Sequence, residues 1–184
     1  MGALQHFRTI TRHRHQVIRN SRKAGILGQG LRHDLSKYSP TEFLEGARYW
    51  QGDRSPNDKA REENGCSAAW MHHKGRNRHH FEYWQDYSAY DKKMQPVEMP
   101  VRYVAEMFCD RVAASKIYQG DKYTDRSPLE YFERGKARRA ALIHPATSTL
   151  IEEMLTILAE EGEKSAFAHI RKLVKEDRKN RRRA

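Results

Sequence analysis

The stretch HDLSKYSPTEF, His33 to Phe43, ends in a helix start that sets the reading of the whole chain. In SPTE, Ser39 stands at an N-cap and Pro40 at the first helical position, where its missing N–H costs nothing. Glu42 falls at the third position, where a carboxylate meets the helix dipole. The same punctuation returns at SPND (Ser55 to Asp58) and SPLE (Ser127 to Glu130), and the two that end in Glu read as full capping boxes. Their spacing is irregular, so they are caps and not an internal repeat. Working outward, helices are expected from Leu4 to Ala24 with Gly25 as stop, from Ser67 to about Trp84, and from Pro100 to about Tyr118. Another is expected from Pro145 to Glu161 with Gly162 as stop, followed by a last basic helix. No segment alternates with period two over a strand's length. The chain therefore reads as all-α with about seven or eight helices, and Gln85 to Met99 as its longest loop.

With 184 residues and 38% hydrophobic content, the chain can bury one core, which favours a single domain. The formal net charge of +11 points to a polyanionic or phosphorylated partner, but much of it is local. The terminal run IRKLVKEDRKNRRRA carries eight Lys and Arg against Glu176 and Asp177. The helical domain is accordingly placed at 1–177 and a basic, frayed tail at 178–184, the tail being a candidate contact for nucleic acid. Cys66 and Cys109 have no short pair spacing, which argues against a disulfide framework or a thiolate zinc site and suits a reducing cytoplasm. No apolar run approaches the ~18 residues of a membrane span, so no membrane partner is expected.

The residues that carry chemistry are histidines and carboxylates. His33 and Asp34 are consecutive, and they can reach one point only if the backbone aims them together. Lys37 lies one turn beyond. His13 falls on the apolar stripe His6, Ile10, His13, Val17, so it points inward from the first helix, although His15 is also available. Asp110 sits in mid-helix within EMFCDRVAAS, flanked by apolar residues, too far past Pro100 to serve the helix end and hence buried with a partner. The stretch HHKGRNRHH, His72 to His80, packs four histidines and three cations into nine residues. On one continuous helix, Trp70, His73, Asn77, His80 and Trp84 form a single stripe, which favours His73 and His80 as ligands. A break at Gly75 brings His72 or His79 into play.

The order His13, His33-Asp34, histidine cluster, Asp110 resembles the HD superfamily of metal-dependent phosphohydrolases. The resemblance rests on that pattern, on HDLSK, and on CDRVAAS, which is similar to the final Asp-Arg helix of that fold; it covers about Leu4 to Ser115. Over HDLSKYSPTEF, GDRSPN, AWMHHKGRNRHHFEYW and VEMPVRYVAEMFCDRVAAS the chain also resembles a family of small bacterial and phage proteins of unknown function thought to be HD-like. The resemblance implies an HD-like helical bundle. It further implies that extra histidines between the His-Asp pair and the final Asp hold a second metal. No Gly-Tyr-Pro signature follows, so a cyclic-dinucleotide phosphodiesterase of that type is not expected.

The implied ligand set is His13, His33, Asp34, His73, His80 and Asp110, with His79 and His72 as alternates. Mixed imidazole and carboxylate ligation suits iron, manganese, cobalt, nickel or zinc, one or two ions per chain, and not calcium. The expected activity is hydrolysis of a nucleotide or related small phosphoester by a metal-activated water. Asp34 and Lys37 are the catalytic candidates, and Lys74, Arg76 and Asn77 the substrate-binding ones. Glu42 reads first as a capping carboxylate and second as a proton carrier. The aromatics of FEYWQDYSAY read as core and loop packing, and Cys109 as a small buried hydrophobe. Two rival readings use the same residues differently: a di-iron oxygenase on the same scaffold, and a nucleic-acid-binding protein with structural histidines.

Overall fold

The computed structural model describes residues 2–183. As the cap pattern indicates, the architecture is all-α, with nine α-helices and one short hairpin among the described residues. Three long helices form the frame: α1 (Gly2–Ala24), α6 (Val101–Gln119) and α9 (Pro145–Arg181). The helical stripe of α1 buries His6, Ile10, His13, Val17, Asn20, Ser21 and Ala24, so an inward face read as apolar carries two imidazoles into the core. α6 is buried nearly all round from Val104 to Cys109 and again at Val112 and Ala113, because α1 covers one side and α9 another. Ile151, Met154, Leu155 and Leu158 of α9 complete that core. Where α1 crosses α6, the Asn20 side chain donates to the Cys109 carbonyl at 3.0 Å in a fully buried contact.

Between α1 and α6 the chain builds a shorter layer from α2 (Leu27–Gly30), α3 (Pro40–Arg48), α4 (Pro56–Asn64) and α5 (Ala68–Lys74), with a 3-10 turn over Leu35–Tyr38. α7 (Ser127–Arg134) and α8 (Lys136–Arg139) bridge α6 to α9. The Ser-Pro starts behave differently from one another. Ser39 accepts the Glu42 N–H and caps α3, whereas Ser55 makes no such bond. Ser127 lies inside α7 and its hydroxyl accepts instead from the Thr124 N–H.

The helix expected from Ser67 to Trp84 ends at Lys74, where Gly75 forms the C-cap. The weak helix propensity of Gly favours this break. Part of the expected loop is a hairpin, β1 (Gln85–Ser88) against β2 (Lys93–Pro96), with Gln85 opposite Pro96. Each strand has four residues and only Ser88 among them is buried, so no alternation is imprinted on the sequence. At the other end, the basic segment expected to fray is helical through Arg181, and Arg178 donates to the Gly25 carbonyl at 2.8 Å. No helix among the described residues is long and apolar enough to cross a membrane.

Gly162 interrupts α9 as the sequence indicates, with φ 83° and ψ 175°. That region of backbone space is essentially closed to residues with a Cβ. The bend returns the second arm to the core, where Phe167 meets Phe108 edge-on at 5.6 Å and Arg171 donates to the Lys23 carbonyl. A Gly162→Ala variant should lose about 1–3 kcal/mol of stability, read as a lowered midpoint in thermal or urea unfolding.

Candidate metal centre

The site forms where α1, the turn before the 3-10 helix, the end of α5 and the middle of α6 converge. Its hinge is Asp34, which has φ 52° and ψ 25°, a left-handed conformation uncommon for a residue with a side chain. That turn lets consecutive residues aim at one point: His33 Nε2 lies 3.3 Å from Asp34 Oδ2. Asp110 arrives from α6, its Oδ1 at 2.9 Å from His13 Nε2 and 3.6 Å from His33 Nε2. On the opposite side of Asp34, Oδ1 is 3.3 Å from His73 Nε2 and 3.5 Å from His79 Nε2. His80 Nε2 stands 3.0 Å from His73 Nε2.

Three groups of metal-ligating atoms among the described residues lie close enough together to hold an ion. His13, His33, Asp34 and Asp110 form one and Asp34, His73, His79 and His80 another, so Asp34 belongs to both; the third, His33, His79 and Glu106, joins the outer nitrogens of two of the same rings. All expected ligands therefore meet in one place, and His79 joins His73 and His80. Because the chain turns at Gly75, the expected stripe through Trp70, His73, Asn77, His80 and Trp84 does not exist; the turn carries His79 into the interior, where it is only 1% exposed. His72 is drawn elsewhere, its Nδ1 on Glu42 Oε1 at 2.6 Å.

The buried atoms facing this space have charged neighbours, Lys37 beside Asp34 Oδ2 among them, but no well-formed hydrogen bond. His13 Nε2, His33 Nε2, His79 Nε2 and both carboxylate oxygens of Asp34 are buried without a hydrogen bond; the close His13–Asp110 and His33–Asp34 approaches have the distance of one but not its geometry. Buried polar atoms are nearly always satisfied, so five orphans converging on one spot fit a ligand that takes lone pairs.

The outer atoms of the same rings are held by carboxylates. Glu106, one turn before Asp110 on α6, places Oε1 at 3.0 Å from His33 Nδ1 and 3.4 Å from His79 Nδ1. Its other oxygen accepts from Gln29 at 2.8 Å. Glu42 does the same for His73, Oε2 to Nδ1 at 2.7 Å. A carboxylate on Nδ1–H fixes the tautomer and turns the Nε2 lone pair inward, the arrangement that tunes metal-binding histidines. Thus Glu42 is neither a cap nor a free proton carrier; its carboxylate orients His72 and His73. Glu106 escaped the sequence reading, although its place four residues before Asp110 on one helical face was available as a signal.

Charge follows the same geometry. Burial alone would raise Asp34 and Asp110, but neighbouring imidazoles, with Lys37 beside Asp34, hold both well below the usual carboxylate range. Burial alone would lower His33, yet Asp34, Asp110 and Glu106 push it well above its ordinary value. Lys37 is likewise raised against the effect of burial by Asp34 and Asp110, its Nζ 2.6 Å from Asp34 Oδ2. The expected substrate groups are placed less centrally. Arg76 is exposed and donates to the His72 carbonyl. Lys74 is half-buried at the end of α5. The Asn77 amide is spent on Ser36 Oγ and the His73 carbonyl, both at 2.9 Å.

Fold and site together define an all-α protein with a buried histidine and carboxylate cluster able to hold metal. The chain belongs to DUF5662, a family of unknown function, whose model matches residues 2–157 and so takes in every residue of the cluster. No curated protein and no solved structure matches it.

Two outcomes follow for Glu106. A Glu106→Ala variant should bind divalent metal about 10–100-fold more weakly in a chelator competition, because the two rings lose their orienting carboxylate. Despite burial, His33 and His79 hold the Glu106 carboxyl down to about 2 from an ordinary 4.5. A depressed carboxylate contributes stability that is present above its unfolded value and lost as pH falls through the folded one. Metal-free protein should lose stability between about pH 4.5 and 2, and Glu106→Gln should flatten that loss in acid-unfolding curves.

Proposed function

We propose that this chain is an HD-like metal-dependent phosphohydrolase acting on a small phosphoester. The observation that carries the reading is the set of five buried orphan atoms on His13, His33, Asp34 and His79, divided between two ligand groups that share Asp34. In this reading His13, His33, Asp34 and Asp110 hold one divalent ion, and Asp34, His73, His79 and His80 the other. Bound transition metals supply a Lewis acid for phosphoryl oxygens and a water acidic enough to be deprotonated near neutral pH.

The chain's own residues do the rest. Asp34 keeps the two ligand groups at a fixed separation with one oxygen toward each, and its left-handed backbone makes that possible. Glu106 and Glu42 keep the ring nitrogens turned inward and hold protons on the outer atoms, so the inner lone pairs stay available. Lys37 stays cationic beside Asp34 and is the group placed to neutralise charge on a phosphoryl oxygen as the bond to the leaving group breaks.

Protein purified without chelator should carry one or two transition-metal equivalents per chain by elemental analysis, and His33→Ala should lose them. Lys37→Ala should keep its metal while phosphate release from phosphoesters falls by about 100-fold. If Lys37→Ala behaves as wild type, the role given to it is wrong. Oxygen-dependent turnover without phosphate hydrolysis would replace hydrolysis with the oxygenase chemistry that the same ligands support.

A further inference from the structure

A cavity of about 60 Å³ opens beside the candidate centre, with Lys37 and His73 in its lining. Thr9 of α1, Gly46 of α3, Trp50, and Ser55 and Asn57 at the start of α4 line it further. At ~10–15 Å³ for each water, that space encloses roughly four to six waters, room for a small organic group but not for a whole nucleoside to be enclosed. We propose that the substrate is a phosphomonoester of a small uncharged polyol, its organic group seated in this cavity, and not a nucleotide. The proposal rests on the phosphohydrolase reading and narrows its substrate.

Size is one argument and the chemistry of the wall is the other. Lys37 is the one Lys or Arg among the described residues that line the cavity, and the Glu42 carboxylate lies in the same wall. One cation set against one anion provides no seat for second and third phosphates, which di- and triphosphate sites cradle with several donors. Besides the His6 and His73 imidazoles, the remaining polar groups are hydroxyls and an amide: Thr9, Ser55, Asn57 and Tyr118. Such neutral donors and acceptors match hydroxyls, and the Ser55 side chain is not used in capping its helix. Trp50 lines the same space, its Nε1 donating to Thr9 Oγ1 at 3.3 Å, so the bulky ring is held in the wall and limits the room beside it. Gly46 lets α3 pack directly on the His6 ring in the same lining, since a Cβ there would collide with that imidazole.

The test compares glycerol 3-phosphate with adenosine monophosphate on full-length protein loaded with manganese. Wild type should hydrolyse the glycerol ester with kcat/KM at least about tenfold higher, and Trp50→Ala should shrink that ratio by about tenfold as the cavity opens. A general loss of stability would lower both activities and leave the ratio unchanged. Calorimetric titration of metal-free protein gives a readout independent of turnover: glycerol 3-phosphate should bind more tightly than the nucleotide, and the preference should fade in Trp50→Ala. Protein that binds metal but prefers the nucleotide overturns the size limit and leaves the hydrolase reading intact. Protein that takes up no metal and releases phosphate from neither ester overturns both.

Discussion

Everything at the centre depends on Asp34. Its backbone sits in a left-handed conformation between α2 and the 3-10 turn, and its two oxygens face two different sets of imidazoles. A strained backbone of this kind costs about 1–3 kcal/mol and persists only where its surroundings enforce it. The surroundings here are the α1–α6 packing, which brings His13 and Asp110 to one side, and the turn after α5, which brings His73 and His79 to the other. The buried charge is balanced within the cluster, with carboxylates held ionised by imidazoles and Lys37, but its inward atoms remain without hydrogen bonds. Leaving such atoms unsatisfied is costly unless another ligand claims them.

The supporting carboxylates explain why the rings are held firmly. Glu106 serves one ring from each ligand group, His33 and His79, while Gln29 fixes its second oxygen. Glu42 serves His73 from α3, a helix whose start is set by the Ser39 cap. Local helix chemistry thus becomes site chemistry: a cap places α3, α3 places Glu42, and Glu42 turns an imidazole. The cavity lies between those same elements, so the helix that orients His73 also shapes the space beside it.

Much of this was legible in the sequence, for physical reasons that differ by residue. His13 could be read because its stripe spacing on a long helix fixes its direction, and Asp110 because a carboxylate among apolar neighbours needs a partner. The all-α class followed from caps and from the lack of alternation. That His79 joins His80 could not be read, because it depends on whether Gly75 ends a helix, which packing decides. Glu106 looked like one acid among many, since nothing local tells a buried carboxylate that holds two imidazoles from a solvated one. Glu42 was read as a cap because its position fits one equally well, and only its contact with rings 30 and 31 residues away separates the roles. The hairpin left no trace, as its short strands bury almost nothing.

The central claim, that the orphan atoms face metal, is tested most directly by anomalous X-ray scattering from crystals of the protein grown with manganese. Two peaks should lie within ligand distance of Asp34, one among His13, His33 and Asp110 and the other among His73, His79 and His80. A map with no peak there, and with the same side chains closed on one another, would contradict the account.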